Sequence, residues 1–259
     1  MSIVTSASLA EYLDRLLDVS RHADYPNALN GLQLANRANV RRIGAAVDLS
    51  VRTIQAAQST GVNFLIVHHG MFWGGLQRIV GATYDRLRAL LNADIAVYSV
   101  HLPLDSSAEY GNSALLARKL GLVPTGSFAT FGDRHLGVSG EADLSTTELV
   151  RTVAAFASEF ATAVRTTAVA QNQRTKRWAI CSGAGASSET LREAVAAGID
   201  TLIVGEGPHH TAVEATELGV TVIYAGHYAT ETLGVQAIAE RAAAEFEVQW
   251  EFLSAPTGL

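Results

Sequence analysis

Two stretches of the chain, Thr53–Gly70 and Thr190–Gly207, follow one pattern. Each reads as a helix, a glycine stop at Gly61 or Gly198, and an apolar run ending in Leu65-Ile66-Val67 or Leu202-Ile203-Val204. A polar turn then follows, His68-His69-Gly70 in the first copy and Gly205-Glu206-Gly207 in the second. Glycine-stopped helices and Leu-Ile-Val runs are common to any two βα units, so this match is weak alone. A second match follows in the same order. Val97–Asp105 and Ile223–Glu231 both place a tyrosine, then a histidine, then a carboxylate four residues later (Tyr98, His101, Asp105; Tyr224, His227, Glu231). Together the matches favour an internal duplication, which restricts the chain to two like units.

Short β-branched runs alternate with helical patterns, the mark of βα units on a largely parallel sheet. Expected strands are Ile43–Leu49, Asn63–Val67, Ile95–Val100, Leu136–Ser139, Trp178–Cys181, Thr201–Val204, Val220–Tyr224 and Val248–Phe252. The expected fold is α/β, with two similar three-layer α/β/α lobes, residues 1–125 and 126–259, and the end of the chain packing back on the first lobe. Thr125–Asp133, with Gly126 and Gly132, reads as the linker or long loop that divides them. In open α/β sheets ligands gather beyond the carboxyl ends of the strands. Both polar turns and both histidine–carboxylate pairs fall there.

Near the N-terminus, Leu9, Tyr12, Leu13, Leu16 and Leu17 recur at helical spacing, and Ser8 with Glu11 fits a capping box. Glu11, Asp14 and Arg15 interrupt any secretory apolar core, and no apolar run reaches the about 18 residues of a membrane span. The single cysteine, Cys181, lies in the apolar run Trp178–Cys181 and reads as a buried, inert thiol. These features point to the cytoplasm. The net charge of −6, without a basic stripe, disfavours nucleic acid as a general partner.

The chemistry-bearing residues cluster at the strand ends. His68 and His69 are adjacent. Neighbours in an extended chain face opposite ways, so the pair suits two ions side by side, about 3.5–4 Å apart, better than one. The other reading is a turn-capping histidine beside a surface one. His227 and Glu231, four apart, share a helix face with Cβ atoms about 5–6 Å apart, at the expected start of a helix Thr230–Phe246. A solvated first-turn glutamate with a capping histidine fits them equally well. Asp105 is the carboxylate of the first copy, and Pro103 is tolerated in a first helical turn. His101 has several readings: orienting Asp105, contacting substrate, or a satisfied buried histidine. Glu206, aligned with His69, reads as a general base, a pocket wall or a loop acid. His209 and His210 read as lining or cap residues, and His22 and His135 as surface residues. Combined, the clusters favour a metal site between the lobes holding two divalent ions. A mixed imidazole and carboxylate set suits Zn, Mn, Fe or Co better than Ca or Mg.

Across nearly its whole length the chain resembles the GTP cyclohydrolase I type 2 homologs, or NGG-interacting-factor-three-like proteins. The marks are Asn30-Gly31-Leu32-Gln33, Ile66–Trp73 with its paired histidines, Ser99–Asp105 followed by Gly111-Asn112, Gly205-Glu206, and Gly226–Glu231. Gly70 stands where many members have proline. The resemblance implies that His68, His69, Asp105, His227 and Glu231 are the metal ligands, with Glu231 bridging two ions, and that subunits form a toroidal hexamer. The family name points to hydrolysis, and one reading is a metal-dependent hydrolase of a nucleotide-like or phosphoester substrate, with His101 or Glu206 as the catalytic proton carrier. No phosphate loop of the G-x-x-x-x-G-K-[ST] kind accompanies these motifs. A metal-handling or scaffold ring that binds protein partners is the alternative. Direct DNA binding is disfavoured by the acidic balance.

Overall fold

The computed structural model describes residues 3–73, 75 and 77–259. Their strands, in chain order, are β1 (Gly31–Leu34), β2 (Arg42–Asp48), β3 (Phe64–His69), β4 (Ala96–Ser99), β5 (Gly126–Phe131) and β6 (Arg134–Ser145). There follow β7 (Arg165–Thr166), β8 (Arg174–Cys181), β9 (Thr201–Val204), β10 (Thr221–Tyr224) and β11 (Gln249–Phe252). They form two mixed sheets, ordered β1-β4-β3-β2-β11 and β5-β6-β8-β9-β10-β7. In each, three parallel strands form the middle, β2-β3-β4 and β8-β9-β10, and a short antiparallel strand, β1 or β7, pairs beside the last of them. The fully buried Phe64–Val67 of β3 and Thr201–Val204 of β9 show why these are inner strands, since parallel strands are covered on both faces.

The duplication extends to individual hydrogen bonds. The helix Val51–Thr60 is opened by Ser50 and Thr53 in a capping box, and the helix Ser188–Ala196 by Ser187 and Thr190 in the same device. Each threonine hydroxyl also donates to a carbonyl five residues back, Asp48 O at 3.0 Å and Gly185 O at 2.9 Å. Asn63 and Asp200, aligned in the repeat, each accept two backbone N–H groups from a neighbouring strand segment, Arg41 and Arg42 in one case, Lys176 and Arg177 in the other. Side chains that cap a helix are worth about 1 kcal/mol each, so repeated caps define both units locally.

The compact units are the chain up to Leu104 with Gly234–Ala255, and Asp105–Leu233 with Pro256–Leu259. The boundary expected at residues 125/126 therefore moves. Leu116, Leu120 and Leu122 bury in a core with Trp178, Ile180 and Ile203 and belong with the second sheet. β11 runs parallel to β2 and belongs with the first, whose core gathers Ile54, Leu65, Val67, Leu90 and Leu253. The expected linker Thr125–Asp133 is mostly strand: Gly126–Phe131 pairs antiparallel with β6, and Phe128 is buried. Its glycines mark the hairpin turn at Gly132 and close packing, and a loop reading does not follow from them. The first helix runs Ser6–Leu16 with Thr5 as its cap, so Ser8 answers as the third helical residue and the box lies one turn before the expected one. Among the described residues no helix is long and apolar enough to cross a membrane.

Candidate metal centre

In the first unit three imidazoles cluster. His68 and His69 are the last two residues of β3, and His101 follows β4. Ring centroids lie 4.9 Å apart for His68 and His69, 4.9 Å for His68 and His101, and 5.7 Å for His69 and His101. One ring nitrogen from each falls within 4.8 Å of the others, a spacing that could hold a metal ion.

Each of these rings is fixed through Nδ1. His68 is fully buried, and its Nδ1 lies 2.9 Å from the Val100 carbonyl. His69 Nδ1 lies 2.9 Å from Asp48 Oδ1, and His101 Nδ1 lies 3.0 Å from Asp24 Oδ1. Carbonyl and carboxylate oxygens only accept, so Nδ1 donates in all three and Nε2 is the basic nitrogen of the neutral ring. His68 reaches the chain beyond β4 and His69 reaches β2, the strands on either side of β3. The two rings still end close together.

In the second unit, His227 opens the short helix His227–Thr230, and Glu231 sits at the junction before the helix Thr232–Phe246. His227 Nε2 and Glu231 Oε2 are 3.1 Å apart, so the spacing of four does bring them together. The other nitrogen, Nδ1, lies 2.9 Å from Glu206 Oε1. With a carboxylate at each nitrogen the ring is an imidazolium. Burial works against that charge, but the hydrogen bond and charge of Glu231, then those of Glu206, push its pKa up to about 9.

Asp105 ends the short helix Leu102–Asp105, with Pro103 inside its single turn as the ring's fixed φ allows. Its Oδ1 accepts from Nδ2 of the fully buried Asn112 at 2.9 Å. Glu206, expected to carry protons, is placed to orient His227. His209 and His210 begin the helix His209–Glu217 and are exposed. His22 bonds within its own turn to Asp18 O, and His135 contacts Thr130.

Sequence reading missed Asp24 and Asp48 because neither lies near a histidine along the chain. Asn30-Gly31-Leu32-Gln33 and Gly111-Asn112 carried a signal without a role, and the structure supplies it. Asn30 Oδ1 accepts from His101 N at 2.7 Å, Gln33 Oε1 accepts from Met71 N at 2.7 Å, and Asn112 holds Asp105. Burial alone would raise the Asp24 carboxyl, but hydrogen bonds from His101, Asn30 and the Tyr25 amide hold it below the ordinary range.

The model of the Duf34/NIF3 (NGG1p interacting factor 3) family matches residues 4–257. The GTP cyclohydrolase 1 type 2 homolog of Deinococcus radiodurans is 39% identical over 254 residues, 97% of this chain and 92% of that protein. The protein of the same name from Halobacterium salinarum is 41% identical, covering 96% and 97%. Among solved structures, protein ybgI, described as of unknown function, superposes with a TM-score of 0.88 at 30% identity over 99% of this chain and 100% of that one. TTHA1606 from Thermus thermophilus gives 0.84 at 35% identity, with the same coverage. The chain belongs to the Duf34/NIF3 (NGG1p interacting factor 3) family.

Proposed function

We propose that this chain is a dinuclear divalent-metal protein, with His68, His69, Asp105, His227 and Glu231 as ligands of Zn, Mn, Fe or Co. In this reading it works as a metal-dependent hydrolase on a nucleotide-like or phosphoester substrate, in the cytoplasm and as a homohexamer. The observation that supports it most is the shared anchoring of the imidazoles. His68, His69 and His227 each place Nδ1 against an oxygen, and for His69 and His227 that oxygen belongs to a carboxylate. Ligating histidines are held this way almost everywhere, and the arrangement fixes the tautomer and raises the basicity of the coordinating nitrogen.

Two such ions would supply Lewis acidity and bring the pKa of a water into the neutral range. The chain's own groups would do the rest. His101, held at Nδ1 by Asp24, presents Nε2 to take up and return a proton. Glu206 acts through His227, keeping it basic and oriented, and Asn112 orients Asp105.

The test pairs elemental analysis of untagged protein with turnover against a panel of nucleotides and phosphoesters. Metal-dependent turnover that Asp105→Ala abolishes with folding intact supports the hydrolase. Metal bound without turnover across the panel refutes hydrolysis and leaves a metal-handling ring.

A further inference from the structure

Asp24 collects four donors on one carboxylate. Oδ1 accepts from His101 Nδ1 at 3.0 Å and from Tyr25 N at 2.7 Å, while Oδ2 accepts from Asn30 Nδ2 at 2.8 Å and from Leu102 N at 3.1 Å. The side chain is only 5% exposed. Its neighbour Asn30 adds a fifth bond, accepting from the backbone N–H of His101. One pair of side chains therefore holds the His101 ring, the backbone on both sides of it, and the first N–H of the helix Leu102–Asp105.

Burying a carboxylate is costly unless its oxygens are fully satisfied. A staple between two loops needs no charge, because an amide or hydroxyl bridges backbone groups with less desolvation. What a carboxylate adds is a strong, acceptor-only partner for an imidazole. Asp24 shares this with Asp48 at His69 and Glu206 at His227, but those two are more exposed, at 36% and 48% against 5%. The His101 ring is also packed by Trp73, edge to face at a centroid distance of 4.3 Å. The ring is thus held in place by packing and in tautomer by hydrogen bonding.

We propose that Asp24 is a positioning residue of the metal centre: it fixes His101 as the Nδ1–H tautomer, so that the basic Nε2 is the nitrogen offered beside His68 and His69. The inference rests on the metal reading above. A free imidazole in water prefers the opposite tautomer, Nε2–H. Without Asp24, His101 reverts to it and turns a donor toward the place where a cation, or a proton to be accepted, would lie.

The experiment uses the full chain with ¹⁵N-labelled histidine, metal-free, at about pH 9.5, where an imidazole of ordinary pKa is neutral. Long-range ¹H–¹⁵N correlations report which nitrogen of each ring is protonated, and His101→Gln assigns the His101 signal. Wild type shows Nδ1–H at His101, and Asp24→Ala converts it to Nε2–H. Asp24→Asn, whose amide oxygen still accepts, keeps Nδ1–H, and so does Asn30→Ala. In parallel, zinc titration against a chromophoric chelator shows Asp24→Ala binding about 10-fold more weakly, the low end of what an outer partner costs, because the Nε2–H of the reverted His101 ring then points a donor toward His68 and His69, with Asp24→Asn closer to wild type. Loss of thermal stability in Asp24→Ala with the His101 tautomer and zinc affinity unchanged would reduce Asp24 to a structural staple and overturn the proposal. An Nε2–H signal at His101 in wild type overturns it without any variant, so a variant that does not fold leaves the test intact. Wild type that binds no zinc but shows the Asp24-dependent tautomer refutes the metal reading and keeps the assignment of Asp24 to His101.

Discussion

Asp48 and His69 are register partners on adjacent parallel strands, and the carboxylate of one lies 2.9 Å from Nδ1 of the other. The β2–β3 pairing therefore sets the orientation of the His69 ring directly. Because Asp48 is over a third exposed, its removal should cost little stability. Asp48→Ala is expected to unfold within a few degrees of wild type yet bind zinc about 10–100-fold more weakly. Thermal melts beside chelator competition check both halves.

A single glycine makes room for Glu231. Gly183 has a φ of +61°, and a β-carbon there would overlap Oε1 of Glu231. Gly61, at φ +76°, has nothing within 4 Å of the same position. Left-handed backbone costs a residue with a side chain about 1–2 kcal/mol, so Gly61→Ala should lower stability by that much and leave metal binding alone. Gly183→Ala should lose more stability and most of its metal affinity, because the carboxylate must move. Equal effects of the two substitutions on zinc affinity would contradict this account of Gly183.

The pH dependence of the metal-free protein follows from His227. Its folded pKa, about 9, lies above the ordinary 6.5, so the charged ring stabilises the fold fully below about pH 6.5. That contribution is lost as pH rises through about 9. Thermal melts of metal-free protein should therefore fall between these limits, and Glu231→Gln should flatten the fall. Metal must displace the same proton, so binding near neutral pH should release it and strengthen as pH rises toward about 9. A melting temperature that climbs across this window would contradict the assignment.

Cys181 should be inert in the native state. Burial first, then the nearby charges of Asp105, Glu231 and Glu193, push its thiol up to about 12, and the thiolate is the reactive form. Maleimide labelling followed by mass spectrometry should show no adduct at neutral pH until denaturant is added. Fast labelling of folded protein would contradict the buried placement.

Much of this was legible in the sequence where the signal is local. Leu65-Ile66-Val67 and Leu202-Ile203-Val204 gave inner parallel strands, and the repeat predicted two like sheets. The spacing of His227 and Glu231 gave their contact, although the helix breaks between them. Partners distant in the chain were not legible. Asp24 meets His101, and Asp48 meets His69, only because strand order brings those segments together. Glu206 was visible as a strand-end acid, but its partner His227 lies on a different loop. The hairpin strand Gly126–Phe131 was hidden by its glycines.

The central claim is that imidazole and carboxylate groups far apart in the chain hold two divalent ions. Its most direct test is elemental analysis of untagged protein, offered Zn, Mn, Fe and Co in turn and freed of loose metal. The account predicts two tightly held ions per chain for at least one of these metals, and fewer in both His69→Ala and Glu231→Gln. Protein that retains none of the four, or holds its metal undiminished in both variants, would contradict it.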